Sequence, residues 1–387
     1  MRSKSVNRRQ ILAGVAGAGA AVLLPRAGFA EGGVSADKIV FGQAAALDGP
    51  AGLLGTGMRT GILAAFAEAG SVGPHKLELV SKDDGYEPTK SIEATKALIE
   101  QGVFALVGAV GTPTSMATLP LAKEANLPFI GPFTGVESLR NPYQPLVVNV
   151  RASYFQETEV MIERFTKDKK YDKIAILYQD DAFGQAGLAG VRKAMDKRGM
   201  KLVAEASFER NTVAVRGALL EIRKAEPQAV VLIGPYKPCA EFIKLAKQIK
   251  FAASFINISF VGSDALAKEL GDAGAGVLVT QVVPFPHDAS IPVVAAYQKA
   301  LAASNPDAKP GFVSLEGYLV GRTVVAALKK VSGDPTRAAF LDQLHNGAYD
   351  LGGFTLTFKP DNNQGSNTVF LTELDGAGGF KPLTTLA

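Results

Sequence analysis

Residues 103–126, "VFALVGAVGTPTSMATLPLAKEAN", pass from an apolar run through a loop of glycines and hydroxyls into a helical pattern. Val103 to Val107 reads as a strand, and the stretch from Met116 reads as a helix, so "GAVGTPTS" (Gly108 to Ser115) leaves the carboxyl end of a strand. In an open parallel sheet the loops at that end line the ligand crevice. Small residues let backbone N–H groups approach a ligand, and the following helix adds the positive end of its dipole, so the loop suits an anion. An ordinary strand-to-helix turn, with Thr114 or Ser115 as N-cap, is the other reading at this point.

Outward from this loop, short β-branched runs alternate with amphipathic helical stretches, the pattern of βαβ units around a parallel sheet. From Lys38 the series runs "KIVFGQAAAL", a helix, "KLELVSKD", and a helix with Pro88 near its start and Gly102 past its end. It then continues through the quoted stretch to "LPFIG" and the extended "PLVVNVRAS". A second series begins at "DKIAILYQDDAFG" and continues through "KLVAEASF", "AVVLIGPYKP", "FINISFVGS" and "GVLVTQVV". Two α/β lobes therefore meet near Arg151. Past Pro284 the pattern turns helical, and "GGFTLTFKPDNNQGSNTVFLTEL" reads as a β-hairpin with Asp361 to Gly365 as its turn.

The first thirty residues combine a basic head, an apolar stretch from Ile11 to Leu24 and a small-residue end at Ala30, the pattern of an export signal. Arg8 and Arg9 in "NRRQIL" resemble a twin-arginine signal, which predicts export of the folded protein to the periplasm. Residues 1–30 carry Arg2, Lys4, Arg8, Arg9 and Arg26 and no acid, so the formal charge of +4 becomes −1 in the mature chain. Nucleic acid is not an expected partner of a near-neutral surface. Cys239 is the only cysteine and His75, His287 and His345 the only histidines, so neither a disulfide nor a His/Cys metal cage is expected. The 387 residues, less the signal, exceed what a single core supports, so two domains are expected.

Signs of catalysis are few. "GQAGLAG" places Gly184, Gly187 and Gly190 after a strand with Glu205 further on, but G-x-x-G-x-x-G is not the dinucleotide spacing, and close helix packing is the favoured role. No G-x-S-x-G elbow, Walker lysine loop or H-E-x-x-H helix is present. The adjacent acids Asp83 and Asp84, and Asp180 and Asp181, read as loop and capping residues in preference to a general acid and base. No catalytic residue, metal or cofactor is assigned.

In this order and spacing, the export signal, "DDGYEP", "GAVGTPTS", "LPFIGPFTG", "YQDDAFGQAG", "GPYKP" and "LEGYLVGR" resemble the leucine/isoleucine/valine-binding type of periplasmic substrate-binding protein, over essentially the whole mature chain. The resemblance implies the type I periplasmic binding fold, α/β, with two doubly wound parallel-sheet lobes joined by a three-strand hinge. It places the N-terminal lobe at 36–150 with 283–364, and the C-terminal lobe at 151–282 with 365–387. It further implies a monomeric solute receptor for an ATP-binding-cassette importer, partnered by a small carboxylate or amino-acid-like ligand and by a membrane permease. A receptor for a membrane signalling protein and an α/β enzyme acting on a small acid are the alternative classes.

Carried onto this chain, the family's carboxylate-holding loops fall on Thr112 and Thr114 and on Phe133, Thr134 and Gly135. Gly135 stands where relatives often carry a hydroxyl. Phe183 and Tyr236 match positions where aromatic rings cover the ligand, and Leu54 lies where an aromatic often lies. Ser259, in "NISFVGSD", falls where the amino-acid binders place a glutamate for the ligand ammonium, which weighs against an α-amino acid because an unpaired buried ammonium is costly. Glu316 is expected either to replace that glutamate from the first lobe or to cap its own helix.

Overall fold

The computed structural model describes residues 31–386, and the export signal expected over residues 1–30 lies outside them. The first sheet is built from β1 (Lys38–Ala45), β2 (Ser71–Val72), β3 (His75–Asp83), β4 (Leu106–Val107), β5 (Phe129–Ile130) and β6 (Val147–Val148), in the order β2-β3-β1-β4-β5-β6. Helices α1 (Gly52–Ala69), α2 (Pro88–Glu100) and α3 (Thr112–Glu124) supply its crossovers, and only β2 with β3 pairs antiparallel. Because β3 and β4 lie on opposite sides of β1, the loops after β1 and β4 diverge there and open a crevice.

The chain then enters α4 (Tyr154–Lys167) and the second series: β7 (Ile174–Gln179), α5 (Ala182–Asp196), β8 (Ala204–Phe208), α6 (Arg216–Lys224), β9 (Ala229–Ile233), α7 (Tyr236–Gln248), β10 (Ser254–Asn257), α8 (Ser263–Leu270) and β11 (Leu278–Gln281). After α9 (Pro292–Ser304), α10 (Phe312–Leu328) and α11 (Arg337–His345) come β12 (Ala348–Asp350), β13 (Thr355–Thr357), β14 (Phe370–Leu374) and β15 (Phe380–Leu383). The second sheet is ordered β15-β14-β11-β10-β9-β7-β8, so its own strand-order reversal falls between β7 and β9. The fold is α/β with two parallel-sheet lobes, as the sequence pattern and the resemblance imply.

Three crossings join the lobes, at the segment after β6, after β11 and before β14. The first and third run side by side, with Asn149 N–H donating to Asn363 O (2.8 Å) and Gly365 N–H to Asn149 O (2.8 Å). This overturns the hairpin expected over residues 352–374. The tight turn is instead Gly352–Gly353, both at positive φ, with their N–H groups on Asp350 Oδ1, and it pairs β12 with β13. Asp361 to Gly365 is left to build the hinge, and β14 pairs with β11 and β15.

Returning to the first lobe, α10 lies directly on α1. A Cβ on Gly61 would sit 1.9 Å from Ser314 O, and one on Gly317 would sit 2.2 Å from Met58 O, so small residues on both helices permit backbone contact. That contact fixes the height at which Glu316 enters the interior. In α5, a Cβ on Gly184 would meet Gln179 O at 1.7 Å and one on Gly187 the Ile233 side chain at 2.5 Å, and Glu205 is an ion-pair partner of Arg192. "GQAGLAG" is therefore a helix-packing device.

Candidate functional site

The loop after β4 delivers Thr112 as the first residue of α3, behind an N-cap Gly111 at φ 101°. No side chain fits at Gly111, since a Cβ would lie 2.3 Å from the Tyr86 ring. Thr112 is fully buried, and its hydroxyl lies 2.7 Å from that of Thr134, which comes from the loop after β5. The expected pair of hydroxyls is thus assembled from two successive strand ends. Thr114 is not part of it, because its hydroxyl turns back to Val110 O and, at 3.1 Å, to Gly111 O. Neither Thr114 nor Ser115 is the N-cap, a place held by Gly111; Ser115 keeps a buried Oγ without a hydrogen-bond partner.

Gly135 carries no missing hydroxyl contact. A Cβ there would lie 2.5 Å from Tyr154 Cδ1 and 2.7 Å from Tyr154 N, so the absence of a side chain is what lets α4 start against this loop. Ser153 and Gln156 close a capping box at that start, which aims the Tyr154 ring inward with its buried hydroxyl unpaired.

The charge at the centre belongs to Arg151, on the first crossing. Its guanidinium is fully buried, with Nη2 3.1 Å from Glu157 Oε1 and also donating to Ser259 Oγ, and with Nη1 3.6 Å from Glu316 Oε1. It stands over the Phe133 ring, 4.9 Å from the centroid, a favourable place for a cation. Burial opposes the guanidinium charge, but Glu316 and Glu157 outweigh it and hold Arg151 above its ordinary pKa. Nε and Nη1 have no hydrogen-bond partner.

Ser259 does have a carboxylate beside it, that of Glu157, one turn into α4, but this carboxylate is engaged within the protein. Glu157 Oε2 accepts from Ser259 N–H (3.0 Å) and Thr280 Oγ1 (2.6 Å), and Oε1 accepts from Ser259 Oγ (3.0 Å) as well as from Arg151. Ser259 thereby ties Glu157 to Arg151, with its own donor engaged.

Glu316 does not cap its helix, since it lies in the second turn of α10, behind N-cap Gly311. Burial pushes its carboxyl up to about 7, against the opposing pull of Arg151. Arg140 braces the site from behind, donating to Gln364 Oε1 (2.9 Å), Val136 O (2.8 Å) and the carbonyls of Thr134 and Arg151 (3.3 Å each), and burial, reinforced by Arg151, lowers it to about 10.

Around these groups the lobes press aromatic rings together. Phe260 lies 4.5 Å from Phe183, 5.3 Å from Phe133 and 6.0 Å from Tyr86, centroid to centroid, and Tyr154 lies 5.4 Å from Phe183. Phe183 is held at the start of α5 by Asp181, whose Oδ1 accepts from Phe183 N–H and Gly184 N–H. Leu54 and Tyr236 are buried on either side of Gly262, where a Cβ would lie 2.4 Å from Leu54 Cδ2 and 3.8 Å from Tyr236. Leu54 also borders a groove of about 800 Å3 with Gly262, Asp264, Val313 and Ser314. The structure thus gathers Thr112, Thr134, Phe133, Phe183, Ser259 and Glu316 around Arg151 and Phe260, and sets Leu54 and Tyr236 beside Gly262.

Contacts cross between the lobes on both flanks. Gln179 Nε2 donates to Tyr86 Oη (3.2 Å) and Arg210 Nη2 to Glu87 Oε2 (2.8 Å), while on the opposite side Phe312 N–H donates to Asp264 Oδ2 (2.9 Å). Sequence reading missed Tyr86, Arg151, Tyr154, Glu157 and Phe260. A lone arginine in the apolar "VVNVRAS", two residues before a capping serine, is the local signal that marks the first of the charged pair.

The periplasmic binding protein family matches residues 38–379. The leucine-, isoleucine-, valine-, threonine- and alanine-binding protein of Pseudomonas aeruginosa is 25% identical over 319 residues, covering 81% of this chain and 84% of that one. A crystal structure described as a possible leucine/isoleucine/valine-binding protein from Rhodopirellula baltica aligns with TM-score 0.87 and 36% identity, over 91% of this chain and 97% of that one. A substrate-binding periplasmic protein from Ralstonia solanacearum aligns with TM-score 0.83 and 27% identity, over 89% and 99%. No helix among the described residues is long and apolar enough to cross a membrane. With two lobes, a hinge of crossings and a buried polar cluster between them, the chain belongs to the periplasmic binding protein family and is of the leucine/isoleucine/valine-binding type.

Proposed function

We propose that the chain is a periplasmic solute receptor of an ATP-binding-cassette importer that captures a small apolar carboxylic acid, aliphatic or aromatic, and performs no catalysis. Residues 1–30 direct its export by the twin-arginine route. The lobes are 36–150 with 283–364 and 151–282 with 365–387; they close on the ligand about the hinge, and a membrane permease reads the closed surface. The observation that carries the ligand class is Arg151: a fully buried guanidinium whose Nε and Nη1 have no hydrogen-bond partner, Nη1 facing only Glu316 at 3.6 Å, in the same cluster as the buried hydroxyls of Thr112, Thr134 and Tyr154. Charge-assisted hydrogen bonds from such donors suit a carboxylate. Glu157 is saturated by Arg151, Ser259 and Thr280, so it offers nothing to a ligand ammonium.

A second reading, an amino-acid ligand, is favoured by the named specificity of the Pseudomonas relative and by Glu316 Oε1, which is buried without a hydrogen-bond partner. Calorimetry with leucine and with its keto-acid counterpart, 4-methyl-2-oxopentanoate, separates the two. The keto acid is expected to bind tighter. Tighter leucine binding, abolished in Glu316→Gln, would replace the acid with an amino acid and make Glu316 the ammonium partner.

A further inference from the structure

Phe260 sits in a short turn whose flanking residues are fixed by hydrogen bonds. Ser259 N–H is held by Glu157, Val261 N–H donates to Ile258 O (2.9 Å), Ile258 N–H donates to Leu232 O (3.3 Å), and Gly262 closes the turn at φ 76°. Gly262 is itself wedged, since a Cβ would strike Leu54. The turn therefore presents the Phe260 ring from the second lobe into the first as a peg, fully buried, against Phe133 and Tyr86. Phe183, from its own lobe, backs it at 4.5 Å.

The other neighbour of Phe133 is Arg151, 4.9 Å from the same ring centroid. A ring-sized place beside the anion anchor is thus already filled by a ring of the protein, and one that returns there whenever the lobes close, because the turn carrying it is held to Glu157 of its own lobe. We propose that Phe260 sets the upper size limit of the ligand and narrows the acids named above to one kind: acids with an aliphatic body are accepted, and acids bearing an aryl ring are excluded. The inference deepens the carboxylate reading and rests on it for the ligand series, but not for the peg itself.

The experiment compares the wild type with Phe260→Ala and Phe260→Leu by calorimetry with 4-methyl-2-oxopentanoate and phenylpyruvate, and by thermal shift with indole, which has a ring and no carboxylate. Expected results are weak or absent phenylpyruvate binding to the wild type, a gain of at least tenfold in Phe260→Ala, a smaller gain in the folded, still apolar Phe260→Leu, and stabilisation by indole of Phe260→Ala alone. Phenylpyruvate binding the wild type as tightly as the alanine variant would overturn the size limit. Indole stabilising Phe260→Ala while neither acid binds any of the three proteins would keep the peg and remove the carboxylate reading. Binding of the aliphatic acid to all three, with no gain of phenylpyruvate or indole in either variant, would keep the carboxylate reading and remove the peg.

Discussion

Replacing Glu316 by glutamine keeps shape and hydrogen-bonding capacity and removes one titration. In the folded chain, burial holds this carboxyl up to about 7 from an ordinary value of 4.5. That difference in proton affinity between the folded and unfolded chain corresponds to on the order of 3 kcal/mol. The folded pKa is the raised one, so the stabilising contribution is fully present below about 4.5 and is lost as pH rises through about 7. Urea denaturation of the ligand-free protein at steps from pH 4 to pH 8 reads this directly: stability relative to Glu316→Gln should decline across that range by roughly the stated amount and be flat above it. Asp84, held up to about 6 by burial, titrates in the same window in both proteins and cancels in the difference. Parallel curves for the two proteins would refute the assignment of a raised carboxyl to the Arg151 pair.

Further outcomes follow from the same geometry. Thr112→Val removes the hydroxyl 2.7 Å from Thr134 at nearly constant volume, and should cost about 1.5 to 3 kcal/mol of acid binding, the range for hydrogen bonds to a charged group; unchanged affinity by calorimetry would return the loop to a mere turn. Asp264 caps α10 from the other lobe, on Phe312 N–H, where Gly311 offers no side chain, so Asp264→Ala should lose about 0.5 to 2 kcal/mol of thermal stability and ligand affinity together. An acid bound beside Arg151 favours protonated Glu316, so calorimetry near pH 7.5 in buffers of different ionisation enthalpy should show proton uptake with the keto acid and much less with zwitterionic leucine. Arg8→Lys with Arg9→Lys should abolish export, and an undiminished periplasmic yield of that variant would exclude the twin-arginine route.

The parts of this molecule that could be read from the chain are those with a short-range cause. Strand ends, helix starts and the glycine spacing of "GQAGLAG" follow from local periodicity, turn chemistry and the need for close packing, and the loops after β4, β5, β7 and β9 carry Thr112, Phe133, Phe183 and Tyr236 because strand ends are where a crevice opens. Ser259 and Glu157 are 102 residues apart, and nothing in either neighbourhood announces that the two meet. The direction of the Thr114 hydroxyl was not legible for a local reason: a hydroxyl in the first turn of a helix can bond its own backbone, and here it does. The hairpin turn lies elsewhere for a similar one, since Gly352–Gly353 is a better tight turn than Asp361 to Gly365, four polar residues and a glycine.

The hinge and the site share their charged residues. Arg140 joins the third crossing, through Gln364, to the carbonyls of Thr134 and Arg151, and Arg151 in turn reaches Glu157 and Ser259 of one lobe and Glu316 of the other. Counting only these buried groups, two arginines meet two carboxylates, and the cluster is neutral when Glu316 is ionised and carries one positive charge when it is not. A bound monoanion reverses the balance, leaving the cluster neutral only with Glu316 protonated, the state that burial already brings within reach of neutral pH. Arg151 can then release its 3.6 Å pairing with Glu316 to a ligand carboxylate without stranding a buried negative charge, which is the costly outcome for an ion pair broken in the interior. For the carboxylate ligand proposed above, the raised carboxyl would let an arginine already flanked by two acids take a third, and its protonation would tie the charge of the ligand to the hinge.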